Sequence, residues 1–554
     1  MSTNISKQKR EDLLAKIKEI RTFISSAPQD ENTGNLLSYL SDLEKDVNGK
    51  KYGLVFEEHR EEIDEVLDTH TPVLTEDADL FIDNGGQVNC LIEGDNYGAL
   101  KVLQKTHRGK IDLIYIDPPY NTGAKDWKYS NDYVDSNDTF RHSKWLSMMN
   151  VRLLAAKTLL TSDGALVCAI DENEQATTGL LLEEIFGEAY NIDCITVVHN
   201  PGGIQGANFS YCHEYAYFVY PRRSYYIKKE RREGDDLTPF RDWGKENSKR
   251  TGSPNCFYPI ITDGEKILSF GDVPPEDFHP TSANEKHGTE VWIWPIDKNG
   301  IERRWRFARN TVEEIRSELV VVSIRGELNI QRNKQLFTRK TVWNDARFSA
   351  NIHGTQLLSQ IIDTKFPFPK SLFLVEECIR ACEQRNSYTV LDFFAGSGTT
   401  GHAVMKLNAE DGGNRRFILC TNNENNICRE VTYERIKRVI DKENYEASLK
   451  YYKVDYIPID ERMYYEYADE LLKHIRELVE LENGVNFVGN EEIGIVLTEE
   501  ELDNFISQLE NNTKCRKLYL GHDILMDAQQ AQVLRDRKIT VNIIPDYYYK
   551  ELEG

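Results

Sequence analysis

Two short apolar segments, each followed at once by a turn of unusual composition, most constrain how this 554-residue chain can fold. The first covers residues 111–116 and is followed by a turn at residues 117–120 that contains two consecutive prolines. The second covers residues 389–393 and is followed by a glycine-rich turn at residues 394–398. Apolar runs of this length, bounded by turn-forming residues, predict buried strands. Because helical segments alternate with such strands, the sequence predicts an α/β fold with a mainly parallel, doubly wound sheet.

The alternation of strands and helices is interrupted once along the chain. Residues 221–345 are rich in Gly, Pro, Arg and Trp and predict irregular, mixed strands, so we interpret them as an insertion that splits one sheet. A chain of this length is expected to form about three domains. The predicted segments are an N-terminal helical extension (1–78), the first half of the α/β domain (79–220), the insertion (221–345), the second half of the α/β domain (346–442) and an acidic α/β C-terminal domain (443–554).

Charge is distributed unevenly along the chain, which bears on its partners. The net charge is −23, and residues 445–554 contain 12 Lys and Arg against 23 Asp and Glu. Phosphate contact requires only a local basic face, so basic clusters in and beside the insertion predict contact with DNA, and a solvated loop surface is the alternative. The clusters and the aromatic residues among them are Arg222, Arg223, Lys228, Lys229, Arg231, Arg232, Lys249, Arg250, Arg303, Arg304, Arg306, Arg309, Arg339, Lys340, Tyr225, Tyr226, Trp243, Trp305 and Phe307.

Composition argues against several other classes of protein. No apolar stretch approaches the ~20 residues of a membrane helix, and the N-terminus lacks the apolar segment of a signal peptide. The 10 cysteines include no Cys-x-x-Cys pair, and Cys378 and Cys382, one helical turn apart, are expected in the core. The sequence therefore predicts a reduced cytoplasmic protein with no membrane segment, no structural zinc and no catalytic metal.

The turn after the first strand has the chemistry to hold an exocyclic amine of a base. The carboxylate of Asp117 and the carbonyl of Pro118 can accept the two N–H bonds of the amine, which favours release of its delocalised lone pair. Pro118 and Pro119 stiffen the turn and remove competing N–H donors. Tyr120 can stack on the face of a base that has left the duplex. The alternative is an ordinary tight turn after a strand.

The turn after the second strand has the chemistry to hold a nucleoside cofactor. Gly396 and Gly398 allow the backbone to approach a ligand closely, and the N-terminus of the following helix favours a carboxylate. Asp392, at the end of the strand, can meet a ligand ammonium. The pattern Phe-x-Gly-x-Gly differs from the dinucleotide fingerprint, and no phosphate-binding P-loop occurs in the chain.

In this order the two motifs resemble those of the amino DNA methyltransferases in which DPPY precedes FxGxG, the β arrangement. Within that class the chain is most similar to the modification (Mod) subunits of type III restriction–modification systems. The resemblance covers residues 85–440, with supporting segments at residues 93–96, 121–123, 145–146, 163–172, 185–187, 200–203, 213–215 and 369–371. It implies a Rossmann-like, S-adenosylmethionine-dependent methyltransferase sheet with circularly permuted motif order. Residues 79–220 would be its catalytic half, 346–442 its cofactor half and 221–345 an inserted target-recognition domain.

The resemblance also implies which residues form the site. It gives the catalytic role to Asp117, Pro118, Pro119 and Tyr120. It gives contacts with S-adenosyl-L-methionine to Asp95, Lys370, Ser371, Asp392, Phe394, Gly396, Gly398, Thr399 and Thr400. His213 is expected to be structural rather than a catalytic base. The strand after FxGxG ends without the acidic residue that binds ribose in many relatives, and Glu424 follows several positions late, so no ribose ligand is assigned.

The implied activity is transfer of a methyl group to adenine N6 in duplex DNA. N4-cytosine methylation by the same apparatus is an alternative, although an Asp at the first motif position favours adenine within the family. An alternative of another class is a DNA-recognition subunit that serves a nuclease partner. The expected partners are double-stranded DNA, a second copy of the chain in a homodimer and a restriction (helicase–nuclease) subunit. The sequence contains no helicase P-loop or evident nuclease cluster, so we do not expect the chain to cut DNA alone.

Overall fold

The computed structural model describes residues 5–26, 33–48, 54, 56, 61–129, 132–135, 140–203, 208–231, 237–244, 246–385, 387–459, 473–488, 490–509, 512–521 and 524–544. The chain divides into two compact units. The first consists of Met1–Tyr226 together with Lys340–Gly554, and the second is Ile227–Arg339. We call the second the inserted unit and describe each by itself.

A sheet of 10 strands forms the centre of the first unit. Six neighbouring strands are parallel, in the order β21-β2-β20-β19-β3-β6. At one end of this group, β1 pairs antiparallel with β21. At the other end, β8 pairs antiparallel with β6, β7 pairs antiparallel with β8, and β18 is the edge strand, parallel to β7. Numbered along the chain, these strands are β1 His70–Glu76, β2 Gln87–Glu93, β3 Ile111–Ile116, β6 Leu160–Ile170, β7 Tyr190–Val198, β8 His213–Pro221, β18 Val342–Trp343, β19 Ser387–Asp392, β20 Asn414–Thr421 and β21 Ala447–Pro458. A short hairpin, β4 Ala124–Tyr129 with β5 Asp132–Asp135, follows β3.

Helices connect the parallel strands and bury their apolar faces against the sheet. The side chains of β3 are all buried, as both faces of a parallel sheet require. The described α-helices are α1 Ile5–Ser26, α2 Thr33–Asn48, α3 Glu62–Thr69, α4 Asn96–Thr106, α5 Arg141–Leu159, α6 Gln175–Phe186, α7 Leu357–Ile361, α8 Leu372–Cys382, α9 Thr399–Asp411, α10 Glu434–Glu443, α11 Ile475–Asn483, α12 Glu499–Gln508 and α13 Ala528–Asp536. Two π-helical segments, Asn351–Gln356 and Ile427–Tyr433, precede α7 and α10. Of the helices described, none is both long and apolar enough to cross a membrane.

The α/β fold class predicted from the sequence is confirmed, but the sheet extends further than predicted. Strand β1 lies within residues 1–78, which were predicted to be a helical extension, and β21 lies within the predicted C-terminal domain. Strand β21 lies between β1 and β2 and contributes the fully buried Leu449 and Tyr452 to the core. Its Lys450 is also fully buried and pairs with Glu76 at 3.0 Å and with Glu480 at 2.6 Å. The charged residues of β21 make the segment look unlike a buried strand in the sequence, because the carboxylates that pair with Lys450 come from distant segments.

A smaller parallel sheet follows near the C-terminus. It consists of β22 Ile493–Val496, β23 Lys517–Leu520 and β24 Thr540–Ile543 in that order, with α12 and α13. These elements bury a hydrophobic cluster of their own that includes Leu502, Leu518 and Leu534. The predicted α/β character of the C-terminal region is therefore present in its described residues.

The inserted unit is built from small antiparallel sheets. Three strands pair as β10-β16-β15, four as β12-β11-β14-β13 and two as β17-β9. Phe240, Tyr258 and Trp305 lie at the centre of its hydrophobic cluster. The strands are β9 Glu230–Arg231, β10 Leu237–Pro239, β11 Ile260–Thr262, β12 Ile267–Phe270, β13 Asn284–His287, β14 Glu290–Ile293, β15 Leu319–Ile324, β16 Glu327–Asn333 and β17 Leu336–Phe337.

Candidate active site

The two sequence motifs meet at the middle of the ten-stranded sheet. Strands β3 and β19 are parallel neighbours, with Leu113 opposite Val390 and Ile114 opposite Leu391. Asp117 directly follows β3, and Asp392 is the last residue of β19. Residues far apart in sequence are thus brought to the carboxyl edge of adjacent strands, where ligand sites form in parallel α/β sheets.

Four side chains form a charged cluster at this edge. The ammonium nitrogen of Lys370 lies 2.9 Å from Asp117 Oδ2 and 3.3 Å from Glu214 Oε2. The hydroxyl of Tyr120 donates a hydrogen bond of 3.0 Å to the same Glu214 oxygen. The Lys370 ammonium also lies 4.6 Å from the centroid of the Tyr120 ring. We call Asp117, Tyr120, Glu214 and Lys370 the catalytic cluster.

Burial and mutual charge alter the acidities within the catalytic cluster. Burial raises the pKa of Asp117 above its usual range; the Lys370 ammonium opposes this rise, and the Glu214 carboxylate adds to it. Burial alone would lower the pKa of Lys370, but the carboxylates of Asp117 and Glu214 outweigh it and hold that pKa above its usual range. Lys370 is therefore protonated at neutral pH.

The turn that carries Asp117 is held from beneath. The indole N–H of the buried Trp145 donates to the carbonyl of Pro119 at 2.7 Å. The next residue after the motif, Asn121, has a positive φ of 58° and donates through its amide to the buried carboxylate of Glu174 at 2.5 Å. A left-handed residue locked by a buried side chain fixes the direction in which the turn leaves β3.

The glycine turn has the backbone shape that a close ligand approach requires. Gly396 and Gly398 have φ values of 47° and 73°, in the left-handed region that favours glycine. Phe394 donates its N–H to Asp392 at 3.0 Å, and the hydroxyl of Thr400 donates to the other oxygen of the same carboxylate at 2.5 Å. Burial raises the pKa of Asp392 to about 7.

Arg435 supports the glycine turn, although no sequence motif pointed to it. Its guanidinium is fully buried and donates to the carbonyl of Ser397 at 3.2 Å and to the hydroxyl of Thr399 at 2.8 Å. Burial lowers the pKa of Arg435 to about 9. Nearby, Thr432 donates its hydroxyl to the carbonyl of Gly396 at 2.6 Å. The hydroxyls of Thr399 and Thr400, both expected at the cofactor, are thus engaged inside the protein.

The remaining expected cofactor residues are placed as follows. Ser371 is buried and donates to the carbonyl of Arg347 at 2.7 Å, while the adjacent Lys370 points to the catalytic cluster. Asp95 precedes α4 and accepts the N–H of Tyr97 at 2.8 Å. Its neighbour Asn96 donates to the carbonyl of Phe393 at 3.0 Å, which ties the start of α4 to the glycine turn.

Two further residues complete the comparison with the sequence. His213 contacts Tyr215, with 3.1 Å between its Nε2 and the tyrosine hydroxyl, which agrees with a structural role. Glu424 is exposed. Glu214 lies between His213 and Tyr215, in a segment that entered the sequence analysis only as support for the resemblance. A lone carboxylate at the start of an otherwise apolar strand was the available signal.

Within the described ranges, no group of three or more His, Cys, Asp or Glu residues could hold a metal ion.

Three neighbouring residues of the inserted unit, Arg303, Arg304 and Trp305, have partners inside the unit. Arg303 pairs with Asp297 at 2.8 Å, and Arg304 pairs with Asp242 at 2.8 Å. Trp305 is buried and donates to the carbonyl of Tyr258 at 2.7 Å. The prediction that Trp305 contacts DNA is therefore wrong, because its side chain is buried. DNA contact by Arg303 and Arg304 stays a prediction, which their pairing with carboxylates inside the unit disfavours.

A family model described as DNA methylase matches residues 111–470. The chain belongs to the DNA methylase family. The match spans both motifs and all four residues of the catalytic cluster of this DNA methylase. The resemblance inferred from the sequence is confirmed at this level.

Individual relatives of this DNA methylase add detail. It is 34% identical over 357 residues to the type II methyltransferase M.KpnI of Klebsiella pneumoniae, an alignment covering 60% of this chain and 79% of the relative. It is 28% identical over 389 residues to the type III restriction–modification enzyme EcoPI Mod subunit of Escherichia phage P1, covering 62% of this chain and 58% of that protein. The alignment thus spans little more than half of the Mod subunit. A solved M1.HpyAVI–SAM complex aligns over 63% of this chain and 98% of that one, with 15% identity and a TM-score of 0.29.

Proposed function

We propose that this DNA methylase transfers a methyl group from S-adenosyl-L-methionine to adenine N6 in duplex DNA. The observation that carries the proposal is the position of Asp117, which lies beside the glycine turn although the two motifs are separated by an insertion. A carboxylate that can accept a hydrogen bond from an amine and a turn that can bind a nucleoside thus lie in one site. When bound, the cofactor supplies an electrophilic methyl group carried on a cationic sulfur.

The residues present fit such a cofactor. An added Cβ would lie 3.1 Å from the ring of Phe366 at Gly396 and 3.2 Å from Thr432 at Gly398. Because both glycines also have positive φ values, a side chain at either position would strain the turn. Asp392 offers a carboxylate to a ligand ammonium, and the start of α9 offers N–H groups to a ligand carboxylate. We assign the cofactor to Asp392, Phe394 and the turn at Gly396–Thr399, with Asp95, Ser371 and Thr400 as supports and Lys370 at the boundary with the catalytic cluster.

The acceptor base would be held by the turn after β3. The Asp117 carboxylate and the Pro118 carbonyl accept hydrogen bonds from the two N–H groups of the amine. These hydrogen bonds favour a pyramidal nitrogen, whose lone pair can attack the methyl group. Tyr120 stacks on the base, and Pro119, fixed by Trp145, keeps the Pro118 carbonyl aimed. As the N–C bond forms, the amine must lose a proton, and Asp117 is the nearest acceptor.

The choice of base rests on the motif itself. Asp at the first position favours adenine in the resembling family, so adenine N6 is the proposed acceptor and cytosine N4 is the second candidate. Mapping at base resolution of DNA from cells that make the protein discriminates them. N6-methyladenine at a fixed sequence is expected, N4-methylcytosine favours the second candidate, and unmodified DNA contradicts both.

We further propose that the enzyme is the modification subunit of a restriction–modification system. Support comes from its similarity to the EcoPI Mod subunit, while the similarity to M.KpnI favours a type II methyltransferase acting without a restriction subunit in the same complex. Co-purification from a host that also makes the neighbouring gene products, followed by assays of DNA cleavage with ATP, separates the two. We also propose that the protein forms a homodimer and is cytoplasmic; sedimentation of the purified chain tests the homodimer.

The inserted unit is proposed to read the target sequence. It contains 20 Lys and Arg against 19 Asp and Glu, so its net charge is close to zero, whereas the rest of the chain is strongly negative. Exchanging residues 227–339 for the equivalent unit of a relative should change the methylated sequence while the modified base stays adenine. If the exchanged enzyme still methylates the original site, recognition lies elsewhere.

A further inference from the structure

Glu214 is a buried carboxylate that two members of the catalytic cluster share. It is the second residue of β8 and is only 4% exposed. A single oxygen, Oε2, accepts the Tyr120 hydroxyl at 3.0 Å and lies 3.3 Å from the Lys370 ammonium. Its removal would therefore leave both Tyr120 and Lys370 without one of their fixed points.

Lys370 is divided between two carboxylates. It is closer to Asp117, at 2.9 Å, than to Glu214, at 3.3 Å, and it also lies over the Tyr120 ring. Without Glu214 the ammonium would pair with Asp117 alone. A tighter Lys370–Asp117 pair would compete with the amine for the Asp117 carboxylate, so Glu214 leaves Asp117 able to accept a hydrogen bond from the substrate.

The cluster also carries an excess of negative charge. Two carboxylates face one ammonium, so one negative charge is left uncompensated within the cluster. Charges at a partly buried site interact several times more strongly than in water. Methyl transfer requires the sulfonium to lie in line with the amine that Asp117 holds, and therefore near this charge. The donor is a cation before transfer, and the thioether product is neutral at sulfur.

We propose that Glu214 is a positioning residue that orients Tyr120 and Lys370 and gives the site the negative charge by which it binds the cationic methyl donor more tightly than the neutral product. This inference rests on the proposed function. A purely structural ion pair is the alternative, and it predicts that donor and product affinities change together.

Glu214→Gln is the most direct variant because it keeps the size of the side chain and an oxygen for the Tyr120 hydroxyl. Calorimetric titration of the full-length protein should show that the wild type binds S-adenosylmethionine more tightly than S-adenosylhomocysteine. The variant should lose about tenfold in affinity for the donor, as expected for one nearby charge, and keep its affinity for the product. Its kcat should fall by more than its donor KM rises, because Asp117 is also less available.

Two controls make the result specific. Glu184→Gln removes the same charge from an exposed position on α6 and should leave both affinities unchanged. Tyr120→Phe removes the hydroxyl that Glu214 accepts but leaves the charge, so kcat should fall while the preference for the donor persists. An equal loss of donor and product affinity in Glu214→Gln, or no loss at all, overturns the proposal.

The wild type alone provides a test that does not depend on the folding of a variant. A donor analogue with a protonated amine in place of the sulfonium should bind more tightly than S-adenosylhomocysteine, and the difference should shrink at high salt. Equal or weaker binding of the cationic analogue overturns the proposal. Failure of the proposed function would look different, because the wild type would then bind neither donor nor product.

Discussion

Partly buried ion pairs occur both in the catalytic cluster and in the inserted unit, but their charges balance in different ways. In the inserted unit two neighbouring arginines each have a carboxylate of their own: Arg303 has Asp297, and Arg304 has Asp242. In the catalytic cluster one ammonium serves two carboxylates, which leaves a negative charge uncompensated. The Arg303 and Arg304 pairs hold segments of one unit together. The additional carboxylate of the catalytic cluster instead lies at the carboxyl edge of parallel strands, where ligand sites form, and it suits a ligand of opposite sign.

The strongest test of this difference is removal of the Asp117 carboxylate. Asp117→Ala should lower the methylation rate a hundredfold or more, since loss of a charged acceptor that acts in the transition state costs on the order of 3 kcal/mol or more. Specific DNA binding should be retained, because sequence is read elsewhere. Initial rates of methyl incorporation, measured beside DNA binding, check both.

Asp363→Ala, which removes a carboxylate with a 97% exposed side chain, is the matched control for Asp117→Ala and should be fully active. Near-normal turnover by Asp117→Ala would exclude the assigned role. Circular dichroism of both variants should match the wild type.

Gly398→Val should abolish detectable binding of S-adenosylmethionine. The residue has a φ of 73°, and an added Cβ would meet Thr432 at 3.2 Å, so the variant combines backbone strain with loss of space. Gly412→Val has the same kind of strain at a φ of 68° in open surroundings. Both should lose roughly 1–2 kcal/mol of stability, but only Gly398→Val should lose the cofactor in calorimetry. Wild-type affinity in Gly398→Val means that the turn is merely structural.

Replacing Arg303 and Arg304 with alanine together should affect stability rather than DNA recognition. Their side chains are 13% and 31% exposed, so breaking both pairs should destabilise the inserted unit by roughly 2 kcal/mol, between the values for surface and buried pairs. Denaturant unfolding measures that loss. The salt dependence of DNA binding should keep its slope.

Arg306→Ala with Arg325→Ala is the opposite case, because both side chains are exposed. If the inserted unit binds phosphates through them, this double substitution should reduce the slope of binding against salt concentration by about one for each phosphate that is no longer neutralised. Stability should hardly change. If the Arg303–Arg304 variant instead reduced the slope of DNA binding against salt concentration, these two arginines would contact phosphate. Their pairing with carboxylates would then not indicate a structural role.

The smallest expected effect is the pH dependence of cofactor binding. The pKa of Asp392 is raised to about 7, so its carboxyl is largely protonated at pH 6 and ionised at pH 8. A cationic ligand favours the ionised form, and affinity should therefore rise severalfold over this range with release of a proton. Without ligand the sign reverses: the folded chain binds this proton more tightly than the unfolded chain, so stability should fall as pH rises toward 7. Asp392→Asn should remove both dependences; a flat profile in the wild type would contradict the assignment.

Motif and periodicity predicted the parallel strands, and the resemblance implied that both motifs belong to one sheet. The structure adds that β3 and β19 are neighbours, so that Asp117 and Asp392 lie at the same edge. Other features depend on pairing between distant segments and cannot be seen locally. Strand β21 has a buried lysine that only Glu76 and Glu480 explain. Arg435 reaches the glycine turn from a helix start that shows no motif. Basic clusters were the weakest signal, because composition cannot distinguish an arginine that faces phosphate from one that faces an internal carboxylate.

The most direct test of the central claim is the fate of a labelled methyl group. Purified enzyme, S-adenosylmethionine with a labelled methyl group and duplex DNA should be incubated together, and the DNA digested to nucleosides. With the wild type, the label is expected in N6-methyl-2′-deoxyadenosine. With Asp117→Ala, no labelled nucleoside is expected. Label in N4-methyldeoxycytidine, in no nucleoside, or equally from both proteins would contradict the claim that the two motifs form one adenine methyltransferase centre.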